Sequence, residues 1–240
     1  MRRRTILGGV LAAVAVAAFL ERDRLRTAFR FARAKAAGRR TLDEALAEYG
    51  DSARARLSKR FEAAGASYPP KAVTLVGLKA ERRLEVWAET EATPVLVADL
   101  PVIALSGGPG PKLKEGDRQA PEGLYPITYL NPASLYHLSL RVGYPNADDK
   151  ARAAAEGRTD LGGDIMIHGQ GGSIGCYSLS DADVEEVFVL AADVGIQRVR
   201  AILAPQDMRN TRMLQPPTEA PAWTADLYRE IAAAMARFRH

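Results

Sequence analysis

Apolar positions follow three regimes along the chain: an unbroken run near the start, helical spacing to about residue 65, and alternation beyond residue 70. The run at 6–20 is preceded by MRRRT, the layout of a secretory hydrophobic region. Fifteen residues are few for a spanning helix, which needs roughly 17–25. The segment 1–20 therefore reads as a signal peptide or a membrane anchor. Residues 42–65, LDEALAEYGDSARARLSKRFEAAG, carry helical spacing. Thr41 with Glu44 three residues on forms a capping pattern at its start, and Gly50 predicts an interruption. Tyr68-Pro69-Pro70 marks a boundary.

From there the pattern is that of strands. KAVTLVGLKAERRLEVWAET predicts a hairpin turning at 79–82, with Leu84, Val86 and Ala88 alternating. Residues 95–106 predict a strand interrupted by Pro101, and the Gly/Pro-rich 107–123 an irregular loop. Residues 124–130 and 135–144 predict two further strands. A polar, partly helical excursion over 145–163 leads to a short strand at 164–168. Ser180 with Asp183 opens a helix whose apolar face is Val184, Val187, Phe188 and Ala191, closed by Gly195. Residues 198–204 predict a last strand and 223–238 a terminal helix. The chain divides into an export segment (1–20), a basic helical segment (21–66), a β-rich body (67–208) and a C-terminal extension with a helix (209–240).

Charge changes the picture once it is located. The chain carries 33 Lys/Arg and 29 Asp/Glu, a net +4. Residues 1–60 hold 15 of the basic and 6 of the acidic residues, so the remaining 180 carry 18 basic and 23 acidic. The body is mildly acidic, which argues against a nucleic-acid face. A basic tail beside an apolar run suits an anionic membrane surface instead.

Candidate chemistry gathers in DIMIHGQGGSIGCYSLSD, residues 164–181, which holds the single cysteine, Cys176. Alternation sets Ile165 and Ile167 on one face and Met166 and His168 on the other. His168 ends the strand, and the glycines after it allow a sharp turn back to Cys176. An imidazole beside a thiol can take its proton, and amides at Gly175 and Cys176 could hold a developing oxyanion. Lone cysteines are also among the most buried residues. From spacing alone, a nucleophile and an inert buried thiol both stay open. A metal would need Asp164, His168 and Cys176 without a second His or Cys nearby. No Gly-Lys-Ser/Thr closes the glycine run as a phosphate loop requires.

The pattern His168, Gly169, Ser173, Gly175, Cys176 resembles the active-site signature of the L,D-transpeptidase catalytic-domain (YkuD-like) family. YPPKAVTLVGLKAERRLEVW, SGGPGPKLKEGDRQAPEGLYPI and SLRVGYPNADD follow in the family's order, and together they are most similar to its YafK-like murein endopeptidase branch. The resemblance covers roughly residues 66–208. It implies a mainly β (α+β) sandwich of mixed sheets with peripheral helices, and no cofactor. Cys176 would be the nucleophile and His168 its base, with the Gly169 carbonyl orienting the imidazole and the Gly175 and Cys176 amides holding the oxyanion. Ser173 would shape the loop; from their positions in the chain, Ser173, Tyr177, Tyr144 and Lys112 are the candidates to face substrate. Many members carry Arg or Asn where Ser178 stands, and a longer span between histidine and cysteine.

The implied activity is that of an exported envelope enzyme acting on peptidoglycan stem peptides through a thioester on Cys176. It would form cross-links, attach a protein, or act as a hydrolase releasing a wall-linked lipoprotein from diaminopimelate. A non-catalytic wall-binding module tethered by the N-terminus is the competing class. His137, in an alternating strand, reads as packed or exposed.

Overall fold

The computed structural model describes residues 40–209 and 215–239. The predicted export segment and most of the basic segment, residues 1–39, lie outside the described residues. The first element is helix α1, Leu42–Ala63. Its start is a full capping box: Glu44 N–H donates to Thr41 Oγ1 (3.2 Å), and Thr41 N–H to the Glu44 carboxylate (2.7 Å). Contrary to the expectation at Gly50, the helix runs through that residue unbroken. Gly50 is buried, and the Arg54 side chain folds close over it, reaching Asp193 through two bonds of 2.8 and 2.7 Å. Packing has offset the weak helix propensity of glycine.

Eight strands form one curled mixed sheet in the order β3-β2-β1-β8-β4-β5-β6-β7. They are β1 Ala72–Leu78, β2 Arg83–Glu89, β3 Val95–Pro101, β4 Gly123–Asn131, β5 Ser139–Val142, β6 Met166–His168, β7 Tyr177–Ser178 and β8 Val199–Ala204. Among the described residues, only the β1–β8 and β6–β7 pairs are parallel. The remaining helices are α2 Ala147–Ala155, α3 Asp181–Val194 and α4 Thr224–Met235. This is the α+β arrangement expected of the sequence, with the sheet continuous through β4.

Alternation explains how the sheet divides two cores. Val73 and Leu75 of β1 and Val199, Ala201 and Leu203 of β8 join one core, against α1 and α3. Val76 and Leu78, with Ile202 and Ala204, join the other, against α4. Successive strand side chains point to opposite faces, so strands covered by helices on both sides are apolar throughout. Helix α3 starts where Asp183 N–H donates to Ser180 Oγ (3.1 Å) and ends at Gly195, whose φ of 87° favours glycine. Its predicted apolar face, Val184, Val187, Phe188 and Ala191, lies in the first core.

Helix α1 joins that core through Ala45, Ala53, Leu57 and Phe61. Arg56 and Arg60 both bond the Glu186 carboxylate on α3, at 2.8 and 2.7 Å. On the far side, Arg209 grips buried Glu85 of β2 with two bonds of 2.9 and 2.7 Å, and Trp87 Nε1 donates to the same carboxylate at 2.8 Å.

The strand expected over 135–144 is shorter in the structure. Residues 132–138 form a loop, in which His137 holds a left-handed φ of 72°, and only Ser139–Val142 pair as β5. That loop stands over the end of β6, beside the candidate site.

Candidate active site

Three adjacent strands at the β7 edge bring the chemistry together. Ser139 of β5 pairs with His168 of β6, and Arg141 with Met166. On the other side of β6, Ile167 pairs with Tyr177 and His168 with Ser178. Cys176 precedes Tyr177, so it lies level with Met166, whose N–H donates to Cys176 Sγ at 3.4 Å. One sheet face thus carries Arg141, Met166 and Cys176 in one row, and Ser139, His168 and Ser178 in the next. Ile165 and Ile167 fill the core behind, as alternation predicts.

His168 is held on all sides. Its Nδ1 lies 2.7 Å from the Gly169 carbonyl. A carbonyl only accepts, so Nδ1 carries the proton and, in the neutral ring, Nε2 holds the lone pair. The Tyr136 ring packs on the imidazole with centroids 4.6 Å apart and planes tilted by 36°. Leu179 N–H donates to the His168 carbonyl (2.8 Å), fixing the strand end. Gly169 allows this closeness: a Cβ there would meet Asp181 Oδ1 at 2.7 Å and the Tyr136 carbonyl at 3.1 Å.

The Cys176 thiol donates to the Asp164 carbonyl at 3.8 Å. Burial pushes its pKa up; the Met166 amide pulls it down, the Asp164 charge raises it further, and Lys112 lowers it. Burial thus favours the neutral form of the Cys176 thiol, and a reaction at Sγ would need a base.

The loop before Cys176 is organised by Ser173. Its Oγ accepts the N–H groups of Gly175 (3.2 Å) and Cys176 (3.0 Å) and donates to the Cys176 carbonyl (2.6 Å). The two amides expected to hold an oxyanion are thus occupied by a hydroxyl in this structure. Gly175 sits at φ 131° with Gln119 O 3.1 Å from where a Cβ would stand, so glycine is required on both counts.

Cys176, His168 and Ser173 line one cleft of about 730 Å³. The structure adds Asp164, Tyr136, Ser139, Asn131 and Ile174 to its walls. Three other sequence candidates stand apart from it. Lys112 Nζ turns inward to Asp117 Oδ1 (2.6 Å) and the Lys114 carbonyl (2.9 Å). Tyr144 is buried, its hydroxyl donating to the carbonyls of Lys112 (3.3 Å) and Leu161 (3.2 Å). Tyr177 points into the core, where a Cβ on Gly77 would come within 2.8 Å of its ring. Each belongs to the framework behind the cleft.

Sequence reasoning missed Tyr136 and weighed Asp164 only as a metal ligand, because neither carries a local signature of a cleft wall. Tyr136 sits in a loop that reads as strand, and Asp164 takes a left-handed φ of 52° that no glycine announces. An Asp at the start of a strand reads as an ordinary turn residue.

The L,D-transpeptidase catalytic domain family, YkuD, matches residues 72–199, just over half of the chain. The chain belongs to this family. Escherichia coli YafK (strain K12), provisionally named an L,D-transpeptidase, is 36% identical over 112 residues, 46% of this chain and 43% of YafK. The match thus spans less than half of that relative's length. Two solved structures are similar to this member of the family. The helical cell shape determining protein Pgp2 from Campylobacter jejuni has a TM-score of 0.46 and 20% identity, covering 68% of this chain and 54% of Pgp2. Bdellovibrio bacteriovorus Bd1075 has a TM-score of 0.43 and 17% identity, covering 70% of this chain and 55% of Bd1075.

Proposed function

We propose that this family member is a cysteine-nucleophile acyltransferase of the cell envelope, acting on peptidoglycan stem peptides through a thioester on Cys176. The observation that carries the reading is the shared cleft of Cys176 and His168, with His168 Nδ1 held by the Gly169 carbonyl. That bond leaves Nε2 as the basic nitrogen. Family membership supplies the substrate class.

The chemistry follows from those two groups. A stem-peptide carbonyl entering the cleft lies beside the thiol. His168 takes the Sγ proton, and the thiolate attacks the carbonyl carbon of the diamino acid. Collapse of the tetrahedral intermediate breaks the C–N bond to the terminal D-alanine, whose amine takes the proton from the imidazolium. The thioester remains. An acceptor amine then restores the thiol by forming a cross-link or a protein linkage, and water restores it by hydrolysis. During attack, Ser173 must release the Gly175 and Cys176 amides if they are to hold the oxyanion; Ser106 Oγ, 3.4 Å from Ser173 Oγ, offers the hydroxyl another partner. Tethering to the membrane through the basic N-terminus and release of a wall-linked lipoprotein belong to the same reading.

The test uses purified sacculi that carry bound lipoprotein and free tetrapeptide stems, incubated with the chain and with Cys176→Ala, and mass spectrometry of the products. Cysteine-dependent cross-links or D-alanine exchange are expected of a transpeptidase. Released lipoprotein with tripeptide ends would instead assign the acyl-enzyme to hydrolysis. Stem-peptide binding that survives Cys176→Ala, with no covalent change in either sample, would overturn the reading in favour of a wall-binding module.

A further inference from the structure

The family match begins at residue 72, and helix α1 ends before it, at Ala63. The helix nevertheless reaches the His168 imidazole, through the loop 132–138. Tyr49 and Arg56 stand seven residues apart, two turns along one face of α1. The Tyr49 ring meets the His137 imidazole edge-on, with centroids 4.8 Å apart and planes at 63°. His137 Nε2 lies 2.9 Å from Glu185 Oε1 of α3, and the other oxygen of that carboxylate accepts Arg56 at 2.9 Å. A carboxylate beside a guanidinium only accepts, so His137 Nε2 is the donor. Behind Tyr49, Arg40 donates to its hydroxyl at 3.3 Å and lies over its ring, 4.7 Å from the centroid.

His137 carries its left-handed φ of 72° in a loop that contains no glycine. Such a conformation at a residue with a Cβ persists where the surroundings hold it. Here the side chain is 8% exposed, enclosed between two helices. The residues on either side of it are those that touch the His168–Gly169 unit. Tyr136 lays its ring on His168 at 4.6 Å, and the Leu138 carbonyl accepts the Gly169 N–H at 3.2 Å. Gly169 in turn holds His168 Nδ1 through its own carbonyl. Residue 137 is thus the anchored centre of a bracket, with one arm on the imidazole and the other on the peptide that orients it.

We propose that Tyr49 and His137 are positioning residues for His168, so that helix α1, from outside the family match, sets the aim of the imidazole. The helix clamps His137, and the clamped loop presses Tyr136 and Leu138 against the His168–Gly169 unit. Proton transfer is sensitive to such aim, because Nε2 must come within hydrogen-bond reach of the thiol. Neither residue touches substrate. The catalytic consequence rests on the acyl-transfer reading, whereas the positioning itself is read from the imidazole.

The experiment uses the full chain and three readouts: the NMR signals of the His168 ring, assigned by their loss in His168→Ala; iodoacetamide labelling of Cys176 at neutral pH; and D-alanine release from a tetrapeptide stem. Tyr49→Ala and His137→Asn should move the ring signals towards their position in Tyr136→Ala. Both should slow labelling about threefold or more and lower kcat by a similar factor, with KM within twofold. His137→Asn keeps the left-handed backbone accessible and shortens the side chain that reaches Glu185. Tyr49→Phe keeps the ring and should match wild type in all three readouts. Arg54→Gln loosens α1 at Asp193, where the two bonds are 2.8 and 2.7 Å, without touching His137. It should lower the melting temperature and leave ring signals and labelling in place.

Ring signals and labelling that stay at wild type in both Tyr49→Ala and His137→Asn overturn the proposal. An equal loss in Arg54→Gln also overturns it, because the effect is then one of general stability. Ring signals that move with Tyr49 and His137, while neither labelling nor D-alanine release depends on His168, support the positioning and overturn the acyl-transfer reading.

Discussion

Ser173 and Cys176 are joined at both ends of the cysteine's backbone: the Cys176 N–H donates to Ser173 Oγ at 3.0 Å, and Ser173 Oγ–H donates to the Cys176 carbonyl at 2.6 Å. Cys176 is thus held by a side chain three residues earlier, on a loop whose glycines supply turning but no rigidity. Removing the hydroxyl leaves the Gly175 and Cys176 amides and the Cys176 carbonyl without it. Ser173→Ala should cost about 1–3 kcal/mol. For a domain of this size that is a fall in Tm of several degrees, on the scale of about 2–4 °C per kcal/mol. A melting curve unchanged from wild type would show that the loop is held by other contacts. Ser173→Thr, which keeps the hydroxyl, should recover most of the loss.

The thiol's environment gives a pH prediction with a definite sign. Burial and the Asp164 charge raise the Cys176 pKa, so the folded protein holds this proton to higher pH than the unfolded chain does. Stability from this group is present below the unfolded thiol's pKa and is lost as pH rises through the folded one. Without substrate, iodoacetamide labelling should therefore reach half its maximal rate above the ordinary thiol range. Asp164→Asn should shift that midpoint downward. A midpoint below the ordinary range would mean that the free enzyme already holds a thiolate–imidazolium pair. His168→Ala, in turn, removes the base and should slow labelling at neutral pH at least tenfold, with a melting temperature lower by a few degrees from the lost Tyr136 contact and Gly169 bond.

Tyr136 bears on the same imidazole from outside. Ring pairs of this kind contribute about 0.5–1.5 kcal/mol. Tyr136→Ala should lower Cys176-dependent turnover two- to tenfold, chiefly in kcat, because the base is less well aimed while the substrate walls persist. Tyr136→Phe keeps the ring and should stay within twofold of wild type. Equal losses in both variants would mean that the hydroxyl, rather than the ring, carries the effect.

Local chemistry made much of this architecture readable. The Thr41–Glu44 box, the hairpin at 79–82, the Ser180 start and the Gly195 stop of α3 all depend on residues within a few positions of each other. The placing of His168 and Cys176 on one cleft was readable for the same reason: a strand end and a short glycine turn are local. Long-range packing decided the rest. The Gly50 helix continues because Arg54 reaches Asp193, 139 residues away. Lys112 left the cleft because Asp117 captured it, and Tyr177 because alternation on β7 turns it from Cys176 into the core. Asp164 became part of the site through a backbone conformation that its side chain does not signal.

The route from the core to Cys176 through Tyr177 yields a prediction distant from the cleft. Gly77 lies on β1, paired with Leu84 and Leu203, and the sheet has no room there for a side chain. An added Cβ would stand 2.8 Å from Tyr177 Cε1 and 2.9 Å from Leu203 Cδ2. The phenol ring is fully enclosed, so it has no solvent to retreat into. Overpacking of this kind costs about 1–3 kcal/mol. Because Tyr177 follows Cys176 directly, part of the displacement must pass along the backbone to the thiol. Gly77→Ala should lower both the melting temperature and the cysteine-dependent rate, although residue 77 touches no substrate. Tyr177→Phe in the same background removes a buried hydroxyl that has no hydrogen-bond partner and should restore part of both. If Gly77→Ala loses stability and keeps the full rate in protein held well below its melting temperature, Cys176 is anchored by Ser173 and Met166 alone, and Tyr177 serves only the core.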